Sequence, residues 1–157
     1  MSINTKQVIG RRTLRFNSLD DVLADLDTLE GKPLKTLGNW SVGQILLHLA
    51  IPMNASLDGV KIPAPWYLRL FAPLVKGRLL KGKMPSGFKL PKAAAEVLIP
   101  GPASTEEGFA ELRKAIARFK NNVPNVPHTF LGKLTLDEWN TIMCRHCELH
   151  LSFIQLA

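Results

Sequence analysis

The chain has 157 residues, enough for one domain to bury roughly 70% of its unfolded surface, and its apolar fraction of 46% excludes a disordered or fibrous class. A net charge of +7 admits anionic partners, but no run is long and uncharged enough to cross a bilayer, and the N-terminal residues lack the apolar stretch of a secretory leader. The only two cysteines, Cys144 and Cys147, are too close in one helix to staple a secreted fold, so a single domain over residues 1–157 in the cytoplasm is expected.

Helix signals are explicit along the chain. After Asn17-Ser18, an acidic first turn and the stripe Leu19, Val22, Leu23, Leu26, Leu29 predict a first amphipathic helix, ended by Gly31 and Pro33. Ser41-Val42-Gly43-Gln44 forms a capping box and opens a second helix to about residue 57, with a bend expected at Pro52. Pro63 and Pro65 introduce a third helical piece over 66–80, which Pro73 should bend or break. Residues 82–102, rich in proline and glycine, are expected to form a long ordered loop over the bundle. Ser104-Thr105-Glu106-Glu107 predicts a second capping box, and Phe109, Leu112, Ile116 and Phe119 follow at helical spacing up to about Asn121. Thr135-Leu136-Asp137-Glu138 predicts a third, opening the last helix. With no convincing alternating strand and no internal repeat, the expected fold is all-α. It is a four-helix bundle with an inserted helical piece and loop between the second and third principal helices.

The positive charge is unevenly placed. No acidic residue lies between Asp58 and Glu96, while Lys61, Arg69, Lys76, Arg78, Lys81, Lys83, Lys89 and Lys92 do. Such a segment concentrates anions or is a solvated face. Nucleic acid is not expected as a partner, because neither interleaved stacking aromatics nor a recognisable DNA-binding pattern is present. The accompanying Trp66, Leu68, Leu70, Phe71, Leu74, Leu79 and Leu80 fit either a membrane-surface helix or, as expected here, burial against the domain.

Three histidines carry the chemistry. His146 and His150 stand four residues apart in the last helix, about 40° apart around its axis, so both imidazoles can face one ion. His48, two turns inside the second helix, can supply a third ligand, and three protein ligands leave coordination positions open. Buried, hydrogen-bonded core histidines are the alternative. Other metal motifs are missing. Met143 and Cys147 occupy the places where a di-iron bundle needs glutamates, and Cys147 follows His146 where a metalloprotease has glutamate. Mid-helix, Cys144 and Cys147 are expected to pack rather than to act in redox chemistry.

Asn39-Trp40-Ser41-Val42-Gly43-Gln44-Ile45-Leu46-Leu47-His48-Leu49-Ala50, together with Arg145-His146-Cys147-Glu148-Leu149-His150-Leu151-Ser152-Phe153, resembles the DinB/YfiT-like superfamily of metalloenzymes. More narrowly it resembles a branch catalogued as a domain of unknown function. The resemblance runs through nearly the whole chain, including Phe130-Leu131-Gly132-Lys133-Leu134-Thr135-Leu136-Asp137-Glu138-Trp139. It implies a DinB-like four-helix bundle whose histidine triad, here His48, His146 and His150, holds a divalent metal. It also implies kinship with thiol-dependent transferases and a thiol-dependent isomerase.

The expected function is therefore a metal-dependent enzyme of the thiol-transferase type, acting on a small-molecule substrate with a low-molecular-weight thiol. Zinc, nickel and iron all suit neutral imidazoles. Gln44 is a candidate second-layer partner orienting an imidazole. Lys81, Lys83 and Lys89, within the basic stretch 76–92, could hold an anionic, carboxylate-bearing thiol. His128, in the loop before the last helix, could reach the site as acid, base or substrate contact, or could stabilise its turn. Trp40, Trp66 and Trp139 could line the cavity, with buried packing the default. A hydrolase using metal-activated water and a non-catalytic metal- or small-molecule-binding bundle are the competing functions. Homodimers are the commonest oligomers.

Overall fold

A computed structural model describes residues 2–157, the side chains of Leu68 and Arg69 excepted. What was expected of those two side chains lies outside the described residues. In chain order the elements are α1 (Leu19–Leu29), β1 (Leu34–Thr36), α2 (Val42–Asp58), α3 (Trp66–Leu70), α4 (Ala72–Lys81), α5 (Lys92–Leu98), α6 (Thr105–Lys120), α7 (Leu136–Leu151) and β2 (Ile154–Leu156). The architecture is an all-α bundle in which α1, α2, α6 and α7 enclose the core. Val22, Leu26, Leu46, Leu49, Phe109, Leu112, Ile116, Ile142 and Leu151 are buried within it.

Local chemistry sets where these helices begin. Ser18, Ser41 and Thr135 each accept a hydrogen bond from the third helical amide, and the side-chain oxygens of Asp21, Gln44 and Glu138 accept one from the cap N–H. Ser104 makes only half of its expected capping box: its hydroxyl accepts from the Glu107 N–H at 3.1 Å, with no reciprocal bond from the Glu107 side chain. Helices α2 and α6 approach closely because two glycines face each other there. A Cβ on Gly43 would stand 2.3 Å from the Ala103 carbonyl oxygen, and one on Gly108 would stand 2.9 Å from the Leu46 Cβ.

Residues 66–80 are broken as expected near Pro73, into α3 and α4 separated at Phe71, with Pro73 in the first turn of α4 where its missing N–H costs nothing. Three expectations are corrected. Trp66 is 73% exposed and Leu74 78% exposed, with Leu70 and Phe71 also open to solvent; among the described side chains of that set, Leu79 and Leu80 alone pack against the core as expected. The span 82–102 is not all loop, since α5 forms within it and buries Ala94 and Leu98. Finally, β1 and β2 pair antiparallel, Leu34 with Leu156 and Thr36 with Ile154. Three-residue strands are too short to show an alternating pattern. In α2, the helix continues past Pro52 to Asp58.

The N-terminal arm fastens the end of α7. Arg11 donates to the Leu149 carbonyl at 3.1 Å and the Ser152 hydroxyl at 2.7 Å. Arg12 pairs with Asp25 at 2.7 Å and donates to the Leu151 carbonyl at 3.0 Å. Both guanidiniums thus meet orphan carbonyls at a helix C-terminus, the negative end of its dipole. Deeper in, Arg145 and Glu148 form a buried ion pair; Glu148 accepts the Phe16 N–H at 2.6 Å and Arg145 donates to the Phe16 carbonyl at 2.9 Å. With Cys144 and Cys147 buried as well, α7 is covered on most of its circumference. That holds the helix carrying two of the histidines in one rotational setting.

Candidate metal centre

His48 of α2 and His146 and His150 of α7 converge as their spacing predicts. One ligand atom from each can be chosen so that all lie within 4.8 Å of one another. The Nε2 atoms of His48 and His146 are 3.2 Å apart, and the three ring centroids are separated by 4.5 to 5.0 Å. Trp40, just before α2, stacks on His150 at 5.7 Å and 11°, and lies 4.7 Å from His48.

The donor chemistry suits a cation. His48 Nδ1 lies 2.7 Å from the Leu98 carbonyl oxygen at the end of α5. A carbonyl can only accept, so the proton sits on Nδ1 and the lone pair of Nε2 points into the cluster. This is the outer hydrogen bond that metal-ligating imidazoles usually make. Burial lowers the pKa of His48, and lowers those of His146 and His150 well below the usual imidazole value; for these two, the neighbouring histidines push in the same direction. Burial thus favours the neutral form of all three rings, the form that ligates a metal. The group could hold a divalent metal ion.

Gln44 is engaged elsewhere. Its side-chain oxygen accepts from the Ser41 N–H at 3.1 Å and its amide reaches the Pro100 carbonyl at 3.5 Å, while the Leu98 carbonyl holds the place beside His48. That carbonyl had no sequence signal, because a backbone oxygen supplied by a short helix at a sequence separation of 50 leaves no residue type to recognise.

His128 reaches the site from the loop before α7. Residues His128 and Gly132 exchange backbone hydrogen bonds of 2.8 and 2.9 Å, and Gly132 takes the left-handed conformation that closes the turn, φ 72°. Inside it, His128 Nδ1 accepts from the Phe130 N–H at 3.2 Å and the Leu131 N–H at 3.1 Å. With Nδ1 an acceptor, the proton of the neutral ring is on Nε2. Burial pushes the His128 pKa down to about 4. The residue both ties the turn and lines the cavity over the triad.

That cavity measures about 910 Å3 and is open to solvent. The triad, His128, Trp40 and Trp139 line it, as do α4, α5 and the segment between them. Trp66 is not among the lining residues and is exposed. Of the basic stretch, Lys89 lines the cavity, Lys76 pairs with Glu138 at 2.7 Å, and Lys81 and Lys83 face solvent. Cys144 and Cys147 are buried outside it, and burial raises both thiol pKa values, that of Cys144 to about 11. Asp58 pairs with Arg118 on the surface.

Fold and site together define a helical bundle with a three-histidine group able to take a metal. Residues 8–156 match the family described as protein of unknown function DUF1569, and the chain belongs to that family. No curated protein matches the chain, and no solved structure does. No helix among the described residues is long and apolar enough to cross a membrane.

Proposed function

We propose that the protein is a divalent-metal-dependent enzyme of the DinB-like type, one domain, catalysing transfer of a low-molecular-weight thiol to a small electrophilic substrate. The observation that carries this is the convergence of three imidazoles, from two core helices, in the lining of a cavity open to solvent. His48, His146 and His150 would be the ligands and zinc, nickel or iron the candidate ions. When bound, such a cation would lower the pKa of a thiol or water presented to it, and the lining contains no carboxylate among the described residues to offset its charge.

The chain's own groups divide the remaining work. The Leu98 carbonyl holds the His48 tautomer, and Trp40 covers one face of His150. His128, its Nδ1 occupied by two amides, is a poor base but can donate through Nε2–H to a leaving group or polarised carbonyl in the cavity. With no carboxylate in the lining, the thiol proton leaves to solvent through the open mouth. Lys89 is the basic residue placed to attract an anionic thiol. Two buried, unpaired cysteines fit a reducing, cytoplasmic setting.

The test uses zinc-loaded protein, 2-mercaptoethanol and 1-chloro-2,4-dinitrobenzene. A sulfur–carbon bond forms as chloride departs with its electron pair. Rate acceleration that requires both zinc and thiol, and that disappears in His146→Ala, is expected. Turnover of ester substrates at a rate indifferent to added thiol would replace the transferase with a hydrolase. No metal-dependent turnover of either kind would favour a binding bundle.

A further inference from the structure

We infer that the cavity above the triad takes a largely hydrocarbon molecule with one polar, reactive end, a substrate class more apolar than the basic composition of the chain suggests. The inference rests on the proposed function only for which end of the ligand meets the histidines.

Away from the histidines the cavity is surfaced by Phe71, Val75 and Leu79 of the α3–α4 junction and α4, by Met84 and Phe88 of the following segment, and by Leu98 of α5. Lys89 is the one formally charged side chain in the lining among the described residues, and it is exposed to solvent. An ionic substrate of cavity size would have to be desolvated against that wall with solvent-exposed Lys89 as its one charged partner, at large cost. A hydrocarbon one gains for every methylene it removes from water. A volume of about 910 Å3 lies at the upper end for small-molecule sites and far exceeds what a thiol alone fills. Apart from Lys89, the titratable side chains of the lining are the imidazoles of His48, His146, His150 and His128; the other polar side chains there, Thr5, Asn39, Ser56, Ser86 and Thr129, are uncharged.

Three features make the wall a built one. Arg15 donates to the carbonyls of Lys81 and Gly82 at 3.0 and 3.2 Å, holding the C-terminal end of α4. Lys76 ties α4 to the start of α7 through Glu138 at 2.7 Å. The carbonyl of Leu98, whose side chain is part of the wall, is bonded to His48 itself. Apolar wall and reactive centre are therefore mechanically joined.

The experiment titrates intact protein with the neutral fluorophore 1-aminoanthracene, first after dialysis against a chelator and again after reloading with zinc. Bound probe is then displaced by n-alkanols from butanol to decanol. Expected is saturable binding in both forms and displacement that strengthens about threefold to fourfold per added methylene. Ala95→Trp, which puts an indole on a half-buried cavity-lining position of α5, should weaken the probe roughly tenfold or more by filling its space. Leu74→Ser, outside the cavity and exposed, should leave it unchanged. No saturable binding, or displacement indifferent to chain length, would overturn the inference. So would probe binding lost in Leu74→Ser and retained in Ala95→Trp, which would put the apolar site on the outer face. Failure of zinc to bind would remove the proposed metal chemistry and leave the probe result standing, so the two ideas fail separately.

Discussion

Helices α2, α6 and α7 meet through buried surfaces, whereas the excursion from α3 to α5 is made of short helices that turn apolar side chains toward water and toward the cavity. The first region places the histidines by rigid means: glycine-allowed close approach, reciprocal caps and a buried ion pair. The second region forms one wall of a chamber around them and supplies a single carbonyl to His48. The difference teaches that placing the three histidines and enclosing the space around them fall to segments under different physical constraints. A core helix answers to packing on most of its faces. A cavity wall answers only to the shape and polarity of what it encloses.

The sharpest way to break that comparison is to remove one partner of an ion pair in each region. Glu148→Ala leaves Arg145 charged and buried without its carboxylate, and should cost about 3–5 kcal/mol in chemical denaturation. Lys76→Met removes the half-exposed tie between α4 and α7, and should cost under about 1 kcal/mol. Equal losses would mean that the excursion is as integral to stability as the core.

Acid should expose the next effect. His128 has its folded pKa depressed from 6.5 to about 4, so its unfolded form binds a proton first as pH falls. Its contribution is complete above pH 6.5 and is lost as pH drops toward 4, on the order of 3 kcal/mol in all. His128→Asn keeps an acceptor for the Phe130 and Leu131 amides without a titrating group. Measured by urea denaturation across this range, the variant should lose less stability than the wild type; an identical pH profile would contradict the assignment.

The smallest pair is one substitution made twice. Gly43→Ala puts a methyl group 2.3 Å from the Ala103 carbonyl oxygen and should destabilise by about 1–3 kcal/mol. Gly77→Ala in α4 meets nothing within 4 Å and should stabilise by roughly 0.5–1 kcal/mol, because a helical glycine is replaced without a clash. Thermal melting reads both, and the same sign at both sites would erase the distinction between the regions.

The two regions were also unequally legible. The capping residues Ser41 and Thr135 and the 3–4 stripes set the core helices within a residue or two, and the spacing of His146 and His150 with a third histidine in α2 was enough to expect their convergence. Those signals are local and periodic. In the excursion Trp66, Leu70, Phe71 and Leu74 look like core by composition, and nothing in their own neighbourhood announces that they face solvent. The helix α5 hid in a proline-bounded segment because seven residues give too few turns for periodicity. The Arg145–Glu148 pair was missed for a related reason: its satisfaction depends on Phe16, whose carbonyl bonds Arg145 across 129 positions and whose N–H bonds Glu148 across 132.

The central claim is that His48, His146 and His150 form a metal centre, and metal content tests it most directly. Protein purified without an affinity tag or chelator would be measured by elemental mass spectrometry beside the His48→Ala/His146→Ala variant, with circular dichroism showing that both are folded. Near-stoichiometric zinc, nickel or iron in the wild type and none in the variant is expected. A wild type that carries no metal and takes up none on titration with those ions would contradict it.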